Sequence, residues 1–194
     1  MQADSIQIRE ARQSDLSALL SIYAPYVRNT AISFEYEVPS EAEFAARIEQ
    51  TQAFYPWLAA ERDGRILGYA YAAPFKPRAA YARSVETTIY LDAACRRQGT
   101  GRLLYQRLED GLAAMHILNL NACIALPEGP DEYLTTDSAE FHARMGYRLV
   151  GEFRKCGYKF GRWYNMIWME KWIGDHPDEP EPVLPFPAVR HTVL

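Results

Sequence analysis

Apolar and polar positions along the chain follow two periods, one typical of strands and one typical of helices. Residues 5–10 alternate and predict an edge strand, and Ser14 with Asp15 then offers an N-cap for a helix that ends close to Pro25. Ser40 and Glu43 form a capping box that predicts a second helix to about residue 50. Further strands are predicted at 57–62, 65–73, 84–91, 119–126, 148–153 and 163–171, and further helices at 101–115 and 137–145.

The length of 194 residues fits one domain with a sizeable core. We assign residues 1–173 to this domain. Residues 174–194 are rich in proline and acidic side chains and show no apolar period. This composition predicts an extended or disordered tail.

Composition excludes several classes of function. The net charge is −4, which gives no basic field of the kind that nucleic-acid binding requires. The three cysteines are odd in number and widely spaced, so they predict neither a disulfide framework nor a metal site. The sequence shows no apolar run long enough for a membrane span and no signal peptide, so we expect a cytoplasmic protein without membrane contact.

The segment 84–108 carries the strongest functional signal, because a strand, a glycine-rich turn and a helix follow one another. Arg96, Arg97, Gly99 and Gly101 lie where the helix begins. The first backbone N–H groups of a helix lack intrahelical partners, and nearby arginines add positive charge, so the turn predicts a phosphate or pyrophosphate ligand. The spacing matches neither a P-loop nor a dinucleotide-binding fingerprint.

The motif Arg96-x-x-Gly99-x-Gly101 after a strand resembles the pyrophosphate loop of the GCN5-related N-acetyltransferases, or GNAT superfamily. The order of elements agrees from about residue 6 to residue 171. Segments that resemble the phosphinothricin acetyltransferase branch are 29–36, 74–81, 85–86, 142–147 and 157–163. The resemblance therefore covers most of the chain.

The resemblance implies an α/β (α+β) fold of the GNAT type, with a mixed, mostly antiparallel sheet of about six or seven strands and about four flanking helices. The strands from Ser84 and Asn119 should run parallel and splay apart, with acetyl-CoA, the cosubstrate, between them. The pantetheine arm is then expected on Ile89, Tyr90 and Leu91. The expected contacts of the pyrophosphate are Arg96, Arg97, Gly99, Thr100, Gly101 and Arg102. The family habit also implies a homodimer.

Glu86 is the predicted catalytic base. On an alternating strand it shares a face with Thr88 and Tyr90, which would point its carboxylate into the cleft. The alternative is a solvated strand carboxylate, and the match of Val85-Glu86 to the phosphinothricin branch favours the base. His142 replaces the tyrosine that protonates the leaving thiolate in many relatives, so it is either that acid, a CoA contact or a packed helix residue.

The acceptor pocket is predicted from loop residues. Lys76, Arg78 and Tyr81 belong to a proline-bounded loop before the catalytic strand, and an arginine there could hold a substrate carboxylate. Phe34 and Tyr36 alternate on an extended stretch and could form the pocket wall; each of these five side chains is equally a surface charge or a core ring.

Two further features favour ordinary structural roles. The turn after Gly157 predicts a hairpin whose Lys159 and Arg162 are solvated charges. The resemblance offers the alternative that this end of the sheet lies near the dimer interface and the substrate cleft, and we favour the solvated turn. Cys123, in an apolar strand, reads as a small buried hydrophobe and not as a nucleophile.

The sequence thus predicts an acetyl-CoA-dependent N-acetyltransferase that acts by direct attack in a ternary complex on the primary amine of a small amino acid or analogue, such as phosphinothricin or methionine sulfoximine. One alternative is an acetyltransferase for protein N-termini or polyamines. The other is a non-catalytic acyl-CoA-binding sensor.

Overall fold

The computed structural model describes residues 5–95 and 98–194, which form a seven-stranded sheet with helices on both faces. The strands are β1 (Gln7–Glu10), β2 (Trp57–Arg62), β3 (Arg65–Pro74), β4 (Ser84–Leu91), β5 (Asn119–Leu126), β6 (Arg148–Lys159) and β7 (Arg162–Trp172). Their order in the sheet is β1-β2-β3-β4-β5-β7-β6, and every neighbouring pair is antiparallel except the parallel pair β4 and β5. The predicted fold class is confirmed.

The helices cover the sheet on opposite sides, so its central strands are buried on both faces. They are α1 (Leu16–Asn29), α2 (Glu41–Gln52), α3 (Thr100–Ala114), α4 (Asp137–Arg144) and the short α5 (Phe186–Val189). Strand β2 shows the division: Trp57 and Ala59 pack with α1 and α2, whereas Leu58 and Ala60 pack with α3. This alternation is the period of two that a strand imposes on its side chains.

Two local predictions on helices have different outcomes. The capping box at α2 is confirmed, since Ser40 Oγ accepts from the Glu43 amide at 3.2 Å and the Ser40 amide donates to the Glu43 carboxylate at 2.8 Å. The predicted end of α1 near Pro25 is wrong, because α1 continues to Asn29. Tyr26 and Val27 are buried beyond the proline, and their packing against the sheet outweighs the single backbone hydrogen bond that proline removes.

The stretch 32–36 is an irregular loop, which we call the acceptor-side loop, and not an extended segment. The Ser33 hydroxyl accepts from the amide two residues ahead of it, that of Glu35, and such local bonds compete with a strand ladder. Phe34 is half-buried while Tyr36 is exposed, so the prediction that they share one wall is wrong.

The C-terminal segment returns to the body of the domain across α3. Phe186 is 0 % exposed, its amide donates to the Phe54 carbonyl at 2.8 Å, and a Cβ on Gly111 would lie 3.0 Å from its ring. Near the end, Arg190 pairs with Glu10 of β1 at 3.0 Å. The prediction of an extended or disordered tail is therefore wrong for the end of this segment. The reason is that the Phe186 ring, in a proline-rich stretch, packs into the space that Gly111 leaves on α3.

Among the helices that the structure describes, none combines the length and apolar character that crossing a membrane requires.

The buried Phe186 ring makes the tail part of the folding unit. Phe186→Ala should lower the free energy of unfolding by about 3–5 kcal/mol, because it empties a site inside the core. Urea denaturation followed by circular dichroism measures this loss. Leu184→Ala, at a neighbouring exposed position, should change it by less than about 1 kcal/mol, and equal small losses for both variants would show that the ring is not integral to the core.

Candidate active site

A fork between β4 and β5 creates a cleft in the domain. The two strands pair over only three positions, Ser84 with Asn119, Val85 with Leu120 and Glu86 with Asn121. Beyond them β4 stays paired with β3 as far as Leu91, and β5 stays paired with β7 as far as Leu126. The predicted splayed parallel pair is confirmed, and among the described residues no strand pairs with the β5-facing edge of β4 after Glu86.

Side-chain hydrogen bonds pin the fork at its base. The Asn121 side-chain Nδ2 donates to the Val85 backbone carbonyl at 3.1 Å, and the Thr87 hydroxyl donates to the Asn121 backbone carbonyl at 3.3 Å. Thr87 is buried and also contacts the Tyr147 hydroxyl at 3.1 Å. These bonds replace strand pairing at the point where β4 and β5 separate, so the start of the cleft has a fixed position.

The cleft is a cavity of about 530 Å³ between the diverging strands. Predicted site residues on its wall are Phe34, Glu86, Ile89, Tyr90 and His142. Residues on the wall that sequence reasoning missed are Tyr71, Thr88, Cys123, Leu134, Ser138 and Met166. Strand alternation offers a signal for Thr88, which lies on the face of Glu86, whereas Leu134 comes from an irregular segment that no periodicity could place.

Glu86 lies at the last position at which β4 pairs with β5, where the cleft opens. Its side chain is half-buried, and this burial raises the pKa of its carboxyl above the ordinary value, while the Lys76 ammonium opposes the shift. A carboxylate with a raised pKa is a stronger base than a solvated one, so the geometry suits proton abstraction in the cleft. A solvated strand carboxylate is not what the structure shows.

His142 of α4 is 3 % exposed and uses both ring nitrogens within the protein. Its Nδ1 donates to the Ser138 carbonyl at 2.7 Å, since a carbonyl can only accept. Its Nε2 then accepts from the Tyr105 hydroxyl at 2.8 Å, and burial lowers the pKa of His142, which favours this neutral form. The arrangement is that of a packed helix histidine, one of the alternatives that the sequence left open.

The predicted phosphate turn precedes α3. Gly99 has φ = 83° and leaves open space where a Cβ would lie, whereas a Cβ on Gly101 would crowd the Phe141 and Leu91 side chains. The first glycine is therefore required by a left-handed backbone and the second by packing. Among the described residues, no side chain caps α3, and the first turn of α3 holds no acidic residue. The buried Thr100 hydroxyl also has no hydrogen-bond partner in the described part of the chain. These three features fit an anionic ligand.

The other predicted CoA contacts differ in how the structure places them. Arg102 is exposed on the first turn of α3, and Arg96 and Arg97 lie outside the described residues. The Leu91 backbone is engaged by Tyr26, whose hydroxyl donates to the Leu91 carbonyl at 2.6 Å and accepts from its amide at 3.3 Å. Ile89 and Tyr90 line the cleft, as an arm running along β4 would require.

The predicted acceptor residues divide into two groups. The Lys76 ammonium lies 5.5 Å from the centre of the Trp168 ring and close enough to act on the pKa of Glu86. Arg78 and Tyr81 are exposed at the two ends of a short 3₁₀ turn and do not line the cleft, and Tyr36 reaches away from it to bond the Tyr158 carbonyl.

A second cavity of about 570 Å³ lies between α2 and the sheet and shares the Tyr71 and Tyr90 side chains with the cleft. Glu35 and Arg47, both on its wall, pair at 2.7 Å. Burial raises the pKa of Tyr71 to about 12, so this hydroxyl between the two cavities is protonated at neutral pH.

Comparison with known proteins agrees with this geometry. The family model described as an acetyltransferase (GNAT) domain matches residues 8–168. The chain belongs to the GNAT acetyltransferase family. As a GNAT domain it carries the predicted fold, and its assignment as an acetyltransferase is confirmed.

Relatives of this GNAT domain align over most of its length. A phosphinothricin N-acetyltransferase of Streptomyces viridochromogenes is 34% identical over 93% of this chain and 94% of its own. An L-methionine sulfoximine/L-methionine sulfone acetyltransferase of Pseudomonas paraeruginosa is 31% identical over 86% of this chain and 94% of its own. A crystal structure of a phosphinothricin acetyltransferase of Sinorhizobium meliloti in complex with AcCoA superposes with a TM-score of 0.82, at 30% identity over 92% of this chain and 95% of that one.

Cys123 of this GNAT domain is not the small buried residue that the sequence predicts. It is exposed on the cleft wall and is not a buried strand residue, because the divergence of β4 leaves that face of β5 uncovered. Desolvation within the cleft, followed by the nearby Glu86 charge, raises the pKa of its thiol to about 11, so the thiolate is scarce at neutral pH. The prediction that Cys123 is not a nucleophile is consistent with this shift.

The electrostatics of Glu86 can be measured without a substrate. In a ¹³C NMR titration its carboxyl should titrate above the ordinary pKa of a glutamate, and Lys76→Met should raise that pKa further, because the variant removes the positive charge that favours the carboxylate. Lys155→Met, at an exposed position on β6, should leave it unchanged. An ordinary value in the wild type would show that the carboxyl is solvated.

Proposed function

We propose that this chain transfers the acetyl group of acetyl-CoA to the primary amine of a small amino acid or analogue of the phosphinothricin or methionine sulfoximine type. The observation that carries the proposal is the half-buried Glu86, with its raised pKa, at the opening of the fork. The names of the relatives supply the substrate class.

Acetyl-CoA fits the described residues. Its pantetheine arm would run along the unpaired edge of β4 at Ile89 and Tyr90, and its pyrophosphate would meet the uncapped amides of Gly99, Thr100 and Gly101. Arg96, Arg97 and Arg102 would supply positive charge near the pyrophosphate. Use of this donor also fits the predicted cytoplasmic location.

In the proposed ternary complex, Glu86 accepts a proton from the substrate ammonium, directly or through a water molecule. The freed amine attacks the thioester carbonyl, the new C–N bond forms and the C–S bond breaks. The thiolate leaves and takes up the proton that the acylated nitrogen loses, which gives the amide and the free thiol. Holding amine and thioester together in the cleft supplies part of the rate enhancement. The acid role of His142 stays a prediction, and its two hydrogen bonds support positioning of Tyr105 instead.

The acceptor is proposed to lie at the end of the cleft lined by Phe34, with Lys76 near its carboxylate. Lys76 is a candidate for this because its ammonium lies 5.5 Å from the centre of the Trp168 ring and acts on the pKa of Glu86. Arg78 and Tyr81 follow Lys76 on the same loop, and Tyr36 belongs to the loop that carries Phe34. Their contact with substrate remains a prediction.

A homodimer is proposed through β6, the edge strand of the sheet. Its outer surface exposes a group of large apolar side chains: Leu149 (61 %), Val150 (58 %) and Phe153 (56 %). A second copy of the chain is the proposed occupant, because an exposed apolar edge strand otherwise invites unspecific pairing.

An assay of CoA thiol release across amino-acid acceptors tests the function. Phosphinothricin, methionine sulfoximine or a related amino acid should be acetylated faster than polyamines or peptides. Glu86→Gln should lower kcat by about tenfold or more while acetyl-CoA binding, measured by calorimetry, is retained. Faster turnover of polyamines or peptides would replace the substrate class, and acetyl-CoA binding without turnover on any acceptor would identify a sensor.

Light scattering coupled to size exclusion tests the dimer. The wild type should elute with twice the 22.2 kDa mass of one chain, and Leu149→Asp should shift it to one, because a charge in the apolar interface is costly. Leu103→Asp, at an exposed apolar position on α3, is the matched control and should stay dimeric. A monomeric wild type would refute the dimer.

A further inference from the structure

The last residue of β6, Lys159, is a buried lysine that holds one loop of the cleft. It is 3 % exposed, and its Nζ donates to the carbonyls of Val27 at 2.7 Å, Thr30 at 2.9 Å and Ser33 at 2.6 Å. Three carbonyls can only accept, so all three ammonium hydrogens are used. The prediction of a solvated charge is therefore wrong for Lys159.

The carbonyls that Lys159 binds lie where α1 passes into the acceptor-side loop. Val27 belongs to the last turn of α1, whose carbonyls have no helical partners, and Thr30 is its C-cap. A positive charge is favourable at this end of a helix. Ser33 lies within the loop, so one ammonium connects the end of α1 to the loop. Burial lowers the pKa of Lys159, and the nearby Glu35 carboxylate opposes that shift.

Two neighbours of Lys159 on β6 hold the same loop. Gly157 lies against the Phe34 ring so closely that a Cβ there would overlap it. The Tyr158 carbonyl accepts from the Tyr36 hydroxyl. Three consecutive residues of β6 thus fix the acceptor-side loop: Gly157 leaves room for the Phe34 ring, Tyr158 offers its carbonyl, and Lys159 offers its ammonium.

The position of the acceptor-side loop affects the shape of the cleft, because Phe34 of this loop and Glu86 both line it. The next residue, Glu35, lines the second cavity and pairs with Arg47, so a shift of the loop would change both cavities. Lys159 itself does not line the cleft. Any effect of Lys159 on the cleft wall is therefore indirect, through the acceptor-side loop and the end of α1 that it binds.

We propose that Lys159 is a positioning residue for the amine acceptor: by binding three carbonyls it holds the acceptor-side loop on β6 and so sets Phe34 at the cleft wall beside Glu86. None of its three hydrogen bonds is to β4 or α3, the elements proposed for acetyl-CoA. The inference rests on the proposed function, because the affected ligand is the acceptor of that reaction.

Lys159→Met tests the proposal, since methionine keeps an unbranched side chain but donates no hydrogen bond. The KM for the acceptor should rise by about tenfold or more, whereas the KM for acetyl-CoA should stay at the wild-type value. Lys155→Met, an exposed lysine on the same strand, should change neither. Assays are run at a temperature at which each variant is folded by circular dichroism. Equal changes in both KM values, or none, would overturn the proposal.

Hydrogen–deuterium exchange gives a second readout that does not need activity. Amides of residues 30–36 should exchange faster in Lys159→Met while those of α3 keep wild-type rates. Unchanged exchange in the loop would refute the positioning role. If the wild type acetylates no amino acid, the proposed function fails, and the exchange result still decides whether Lys159 holds the loop.

Gly157→Ala moves the Phe34 ring without touching the ammonium, so it tests the same loop should Lys159→Met not fold. It should raise the KM for the acceptor and leave that for acetyl-CoA unchanged. A wild-type acceptor KM in the folded Gly157→Ala protein would show that the placement of Phe34 does not govern acceptor binding, and the proposal would fall.

Discussion

The end of strand pairing at Glu86 is the constraint on which the site depends. Parallel strands in a sheet normally continue side by side, and here β4 and β5 separate after three pairs because hydrogen bonds of Thr87 and Asn121 take over at the fork. The same separation leaves one edge of β4 unpaired and opens the cleft beside the half-buried Glu86. A backbone edge for a ligand and space for that ligand therefore have one structural cause, and both lie next to the proposed base.

Two kinds of polar interaction keep the walls of the cleft in place. On the side of α3 and α4 the groups are neutral: His142 bonds the Tyr105 hydroxyl and the Ser138 carbonyl, and Thr87 bonds the Asn121 carbonyl, all without a charge. On the opposite side the ammonium of Lys159 binds only backbone carbonyls. Buried polar groups that are fully satisfied in this way specify one arrangement of the side chains around them.

Much of this was accessible from the sequence, and the failures have physical reasons. Strand alternation placed Glu86 on the cleft face, and the glycine at position 99 marked a left-handed turn before α3. Burial of Lys159 was not accessible, because its acceptors come from the end of α1 and the loop after it, more than a hundred residues away. The place of Phe186 was hidden for a similar reason, since its site is a notch at Gly111 on another helix. Local patterns report on neighbours along the chain, whereas these two side chains are placed by distant segments.

The pairing of Arg190 with Glu10 brings the two ends of the described chain together at the β1 edge of the sheet. A short linker could join them, and the turn at Asp63 and Gly64, between β2 and β3, could then serve as the new start and end of the chain. Such a circular permutant would traverse the same sheet in another order, with the fork and the loop on β6 untouched. The order in which the chain visits the strands is then separate from the arrangement of the strands in the sheet.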